Sequence, residues 1–88
     1  KIAAMAETYH IRVLPHNPNG PISTLVGVHL GACIANFEML EYPRRPADEI
    51  SVLKSMPKVE DGYIEVPDGP RWGVELDEEA LAEFSPEE

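Results

Sequence analysis

Val13-Leu14-Pro15-His16-Asn17-Pro18-Asn19-Gly20-Pro21-Ile22-Ser23-Thr24, residues 13–24, is the stretch on which the reading of the chain turns. Three prolines, two asparagines and one glycine crowd around a single histidine there. A short apolar, β-branched run, Ile11 to Leu14, leads in and suits a strand. Pro15 ends it, because proline cannot donate to a strand ladder. A stiff loop, His16 to Pro21, follows. Ser23 or Thr24 can then cap a helix from Leu25 to about Asn36.

On the N-terminal side, Ile2, Met5, Ala6 and Tyr9 recur at helical spacing and predict an amphipathic helix. On the C-terminal side, Glu38 to Tyr42 reads as a second short strand, ended by Pro43. Helix, strand, helix, strand is the signature of βα units around a parallel sheet. Parallel strands need cover on both faces, which two strands cannot supply. Lys1 is no capping residue for the first helix, and no methionine opens the chain. The expectation is a piece of a longer protein. The second helix carries Leu25, Val26, Val28, Leu30, Ala32, Cys33 and Ile34 on more than one face, so burial on several sides is expected. Gly27 and Gly31 thin it where something packs closely.

Arg44 to Pro57 is weakly patterned and reads as a loop with a helical turn. Asp61-Gly62 marks a turn, Tyr63 to Pro67 an alternating strand, and Asp68-Gly69-Pro70 another turn. Trp72 to Leu76 reads as extended. Asp77 caps a final helix, Glu78 to Phe84, whose glutamates favour its N-terminal end. Pro86 stops it.

Composition narrows the function. The 88 residues suffice for one small domain of marginal stability. The net charge of −9 is uneven: residues 60–88 hold eleven acidic side chains and one basic. Such a surface repels phosphate backbones, which argues against nucleic acid as a partner. No stretch reaches the roughly 20 apolar residues of a membrane span, and no signal-peptide pattern is present. The single Cys33 can form no internal disulfide and reads as packing. A reducing, cytoplasmic setting follows as the expectation.

The chemistry gathers at two strand ends. His16 lies just past the first strand and Glu41 ends the second. Ligands of parallel α/β folds bind at such ends. An imidazole titrates near neutrality, so it can take or give a proton during turnover. A neighbouring carboxylate can hold a proton or a hydrogen bond to a developing anion. A histidine in a loop of this kind also suits a purely structural role; the coincidence with Glu41 weighs for acid–base chemistry. His10, His16 and His29 lack metal-site spacing. His29 reads as a core or interface residue, and Trp72 as packing. The acids from Asp61 to Asp68 do not follow a calcium loop. No phosphate-binding glycine motif or nucleophile elbow occurs.

Taken together, PHNPNGPIST (15–24), HLGACIANFEMLEY (29–42), DGYIEVPDGP (61–70) and GVELDEEALAEF (73–84) resemble the C-terminal end of the enolase superfamily. The likeness is to its mandelate racemase group, and within that to sugar-acid dehydratases of the galactonate type. It spans nearly the whole chain and is weakest from Arg44 to Pro57. The resemblance implies an α/β fold: the last strands and helices of a modified (β/α)8 barrel, then a segment returning to an α+β capping domain. Residues 1–57 would supply the sixth helix, seventh strand and helix, and eighth strand. Residues 58–88 would pack on the capping domain. By the same resemblance, His16 is a catalytic acid/base, and Glu41 hydrogen-bonds the substrate carboxylate or enediolate. Asn17 and Pro18 belong to the substrate-binding loop. Magnesium is implied as cofactor, with its carboxylate ligands and the aspartate partner of His16 upstream of Lys1. A small sugar acid is the implied substrate and a homo-oligomer the implied assembly. This piece alone would then be inactive. Ala35 and Arg71 depart from the family pattern, which favours proline and glycine there. Two rivals remain at this point: a racemase or epimerase of the same superfamily, and a small acidic interaction domain without catalysis.

Overall fold

A computed structural model describes residues 1–44 and 52–83. The chain divides into two compact units, residues 1–43 and 44–88. The 57/58 boundary expected from the sequence concerns which parent domain each part belongs to.

The first unit begins with α1, Ile2–Thr8. The helix stops because His10 turns left-handed at φ 57. Its N–H then donates to Glu7 O at 2.9 Å, and that of Ile11 donates to Ala6 O at 3.0 Å. This pair of bonds is a Schellman motif, which caps the last carbonyls. Histidine is among the few side chains enriched in that backbone region.

The segment after α1 pairs in parallel with the segment after the second helix, at Val13 and Phe37. Val13 N–H donates to Asn36 O at 2.8 Å, and Glu38 N–H donates to Val13 O at 3.0 Å. The parallel sense follows the βα reading, but the pairing is one bridge and not the two strands expected. The reason is Pro15, which has no N–H for the next rung. Its carbonyl accepts from Glu41 N–H at 3.4 Å, one residue beyond the regular partner Leu40. Arg12 reinforces the bridge by donating to the Glu38 carboxylate.

Between these segments runs α2, Pro21–Cys33. It starts earlier than the sequence suggests. Gly20, extended at φ −70 and ψ −174, is the N-cap, and Pro21 is the first helical residue. A residue before proline is driven to extended backbone, and proline fits the first turn because its missing N–H needs no partner. Ser23 and Thr24, expected as caps, therefore lie inside the helix. At the other end α2 closes at Cys33, short of Asn36. Leu25 and Val28 are its buried apolar residues, while Val26 and Leu30 are exposed. Burial on several sides is therefore not seen: the neighbouring segments cover one side only. Cys33 is also exposed. The glycines act as expected. A Cβ on Gly27 would lie 2.6 Å from Leu40 Cδ1, and one on Gly31 would lie 2.8 Å from Phe37 Cε2. Their absence lets the second bridged segment lie close against the helix.

The second unit centres on Leu53, which is buried and bridges Leu76 in antiparallel sense. Lys54 Nζ reaches Glu75 Oε2 beside that bridge at 2.9 Å. A hairpin follows, with β1 (Val59–Glu60) paired antiparallel to β2 (Tyr63–Ile64). Asp61 at φ 51 and Gly62 at φ 79 join them. Two successive left-handed residues make a type I′ turn, whose twist matches that of the flanking strands. Only two residues of the expected strand Tyr63–Pro67 pair. Arg71 at φ 60 and Gly73 at φ 74 form a turn where an extended run was expected. Asp77 caps α3, Glu78–Glu83, as expected: its Oδ1 accepts from Ala80 N–H at 3.1 Å. Phe84, Pro86 and part of the weakly patterned stretch, residues 45–51, lie outside the described residues.

Candidate active site

The first unit brings the two acid–base candidates into contact. His16 leaves the first bridged segment just after Pro15, and Glu41 leaves the second where its N–H meets Pro15 O. His16 Nδ1 then lies 2.6 Å from Glu41 Oε2. The carboxylate only accepts, so Nδ1–H is the donor. In a neutral ring this leaves the lone pair on Nε2, the atom able to take a proton. The imidazole is 79% exposed and the carboxylate 49%, so both are open to a ligand.

Glu41 is held from a second direction. Asn17 N–H donates to the same Oε2 at 2.7 Å. The carboxyl stands below its ordinary value of 4.5, first because of that backbone bond and then because of the hydrogen bond and charge of His16; desolvation opposes both. Ionised near neutrality, Glu41 orients the imidazole.

Asn17 is 2% exposed, and its side chain points inward. Its Nδ2 donates to Thr24 Oγ1 at 2.9 Å and to Glu41 O at 3.1 Å. Thr24, also buried, donates in turn to Gly20 O at 3.4 Å. Pro18 is exposed in the loop next to them. Thr24 was legible only as a helix cap. The signal that relocates it is Gly20-Pro21, a capping pair that places Thr24 inside the first turn, facing the loop.

No group of three His, Cys, Asp or Glu side chains among the described residues could hold a metal ion. His16 and Glu41 are two groups, already paired with each other. The residues in hand thus do not form a magnesium site by themselves.

The family described as enolase C-terminal domain-like matches residues 1–80. The chain belongs to that family. Its fold is the α/β fold of the enolase C-terminal domain. The chain is 34% identical to a D-galactonate dehydratase of Ralstonia pickettii, with 99% of this chain and 25% of that protein covered. The crystal structure of an enolase from Agrobacterium radiobacter, a candidate galactarate dehydratase bound to sodium and L-malate, superposes with a TM-score of 0.83 at 40% identity. That match covers 93% of this chain and 25% of that one. A candidate L-alanine-DL-glutamate epimerase from Burkholderia xenovorans, bound to magnesium and fumarate, gives a TM-score of 0.85 at 32% identity. It is covered over 22% of its length by 98% of this enolase-family chain. The chain therefore spans about a quarter of the length of these relatives. No helix among the described residues is long and apolar enough to cross a membrane.

Proposed function

We propose that residues 1–88 are the C-terminal part of a magnesium-dependent sugar-acid dehydratase, with His16 as its acid/base. The observation that carries this reading is the 2.6 Å contact between His16 Nδ1 and Glu41 Oε2, which aims the basic Nε2 outward at the paired ends of two parallel segments. The dehydratase relative supports the reaction class. The L-malate and fumarate held by two structural neighbours support a carboxylate substrate, for which a galactonate-type acid is the best fit.

In this reading His16 Nε2 takes the proton from the carbon next to the substrate carboxylate. The electron pair of the broken C–H bond moves into that carboxylate as an enediolate. The β-hydroxyl then departs as water with a proton supplied by an acid from outside this chain, and the resulting enol moves its hydroxyl proton to the β-carbon to become a 2-keto-3-deoxy sugar acid. Ionised, Glu41 accepts from His16 and fixes the ring. A substrate carboxylate placed beside it raises its proton affinity, since like charges disfavour each other. The protonated form can then donate to the enediolate. Magnesium would add charge stabilisation of the enediolate oxygens. Its ligands would come from residues outside this chain. Residues 1–57 would supply the end of the barrel and residues 58–88 the part that packs on the capping domain. The acidic surface and single cysteine support a cytoplasmic enzyme.

Replacing His16→Asn in the complete protein tests the assignment. Turnover of D-galactonate should fall by roughly 10²- to 10⁴-fold, as for a lost general base, with magnesium affinity nearly unchanged. Near-normal turnover would remove His16 from the mechanism. The epimerase neighbour favours a second reading, in which the proton returns and no hydroxide leaves. Incubation in deuterated water separates the two. Accumulating 2-keto acid marks a dehydratase, whereas deuterated, inverted substrate with no keto product marks an epimerase.

A further inference from the structure

We propose that Asn17 is a positioning residue that sets the placement of Glu41, and that Thr24 is its anchor. The inference rests on the dehydratase reading above, and it assigns Asn17 to the scaffold in place of the substrate-binding surface.

The geometry starts from a missing rung. Pro15 has no N–H, so the parallel pairing ends just where the two acid–base side chains begin. The remaining backbone bond, Glu41 N–H to Pro15 O, is long at 3.4 Å and one residue out of step. Backbone pairing therefore fixes the end of the second segment poorly. Asn17 supplies what is missing. Its N–H binds the Glu41 side chain at 2.7 Å, and its Nδ2 binds the Glu41 carbonyl at 3.1 Å. One residue thus holds another by main chain and side chain together. The second hydrogen of Nδ2 goes to Thr24 Oγ1 at 2.9 Å, in the first turn of α2. That helix is seated against the same segment by the close approach of Gly27 to Leu40. The three points Thr24, Asn17 and Glu41 form a strut from helix to site.

The amide cannot turn to substrate without breaking the strut. Asn17 and Thr24 are 2% and 3% exposed. Asn17 Oδ1 is buried with no partner among the described residues, so the amide is anchored by its nitrogen alone. Both Nδ2 partners are acceptors, and a backbone carbonyl can be nothing else, which fixes the orientation of the amide.

The test compares Thr24→Val, Thr24→Ser and Asn17→Ala in the complete protein with D-galactonate and magnesium, well below the melting temperature. Thr24→Val keeps the shape and removes the acceptor. Thr24→Ser keeps the acceptor. A loosened Glu41 should lower kcat, since a misplacement near 1 Å can cost about 10²-fold. Thr24→Val and Asn17→Ala are expected to lose roughly 10- to 100-fold in kcat with KM within a few-fold, and Thr24→Ser to recover most of it. A merely structural role would lower the melting temperature and leave the kcat of the folded enzyme alone. Unchanged kcat in Thr24→Val, or a raised KM with unchanged kcat, overturns the proposal. Should Asn17→Ala fail to fold, the Thr24 pair decides alone. Should the wild-type protein dehydrate no sugar acid, the functional reading falls and crystal structures decide the positioning. A Glu41 carboxylate displaced from His16 in Thr24→Val then supports the strut, and an unmoved one overturns it.

Discussion

Side-chain ties brace the parallel bridge of residues 1–43, whereas left-handed backbone shapes the turns of residues 52–83. In the first unit, Asn36 Nδ2 donates to Ala3 O at 3.0 Å and to Ile11 O at 2.9 Å. That amide brackets one end of the parallel bridge, and Asn17 brackets the other. Leu40 and Phe37 fill the gaps above Gly27 and Gly31. In the second unit the chain turns at Asp61, Gly62, Arg71 and Gly73, all with positive φ. A side-chain tie can adapt when its partner moves. A left-handed glycine takes on a Cβ only at a steric cost, and not where another atom already fills the space. The two units should therefore respond differently to the same kind of substitution.

The largest effect is expected at Gly73. Alanine there adopts left-handed backbone at a cost of about 1–2 kcal/mol. Its Cβ would also sit 2.2 Å from Pro67 Cβ. We expect Gly73→Ala to destabilise the second unit by about 3 kcal/mol, measured by hydrogen exchange of residues 52–83 in the complete protein. Pro67→Gly should restore only part of that, because the backbone penalty stays. Full restoration would break the comparison.

A smaller effect is expected at Gly27. The clash of Gly27→Ala is with the tip of Leu40, and overpacking of this kind costs about 1–2 kcal/mol. Leu40→Val on the same background should recover most of the loss, read as non-additivity in denaturant unfolding. Strict additivity would show that side-chain ties do not govern this unit.

The smallest effect is electrostatic. Glu41 is held below its ordinary value of 4.5 in the folded chain. A depressed carboxyl contributes stability above its unfolded value and loses it as pH falls through the folded value. The unfolding midpoints of wild type and Glu41→Gln should differ at neutral pH and converge as acid protonates Glu41. Because the pair is exposed, the difference will be modest. A gap that persists unchanged into acid would place the stabilisation elsewhere.

The same contrast explains what was legible in the sequence. Asp61-Gly62 and Asp77 were readable because their conformations follow from their own chemistry. The left-handed turns at His10 and Arg71 were not, since neither carries glycine's signal. Arg71 does stand where the family resemblance expects glycine, and its φ of 60 gives that departure a physical meaning. His16 and Glu41 were found from their places after two strands, although the strands proved to be a single bridge. Their separation is set by Asn17, which reaches Thr24 at 7 positions and Glu41 at 24, ties that no local pattern reports.

Pro18 gives the site a chemical lifetime as well as a shape. An asparagine ages to aspartate when the backbone nitrogen of the next residue attacks its side-chain carbonyl. Proline has no N–H to give up, so Asn17 is shielded from that reaction by its own neighbour. The shield matters because aspartate at 17 would lose both donations, to Thr24 and to the Glu41 carbonyl, and would set a carboxylate oxygen against that carbonyl, acceptor facing acceptor. In the loop His16 to Gly20, chemical ageing is thereby directed to Asn19, which is exposed and followed by glycine.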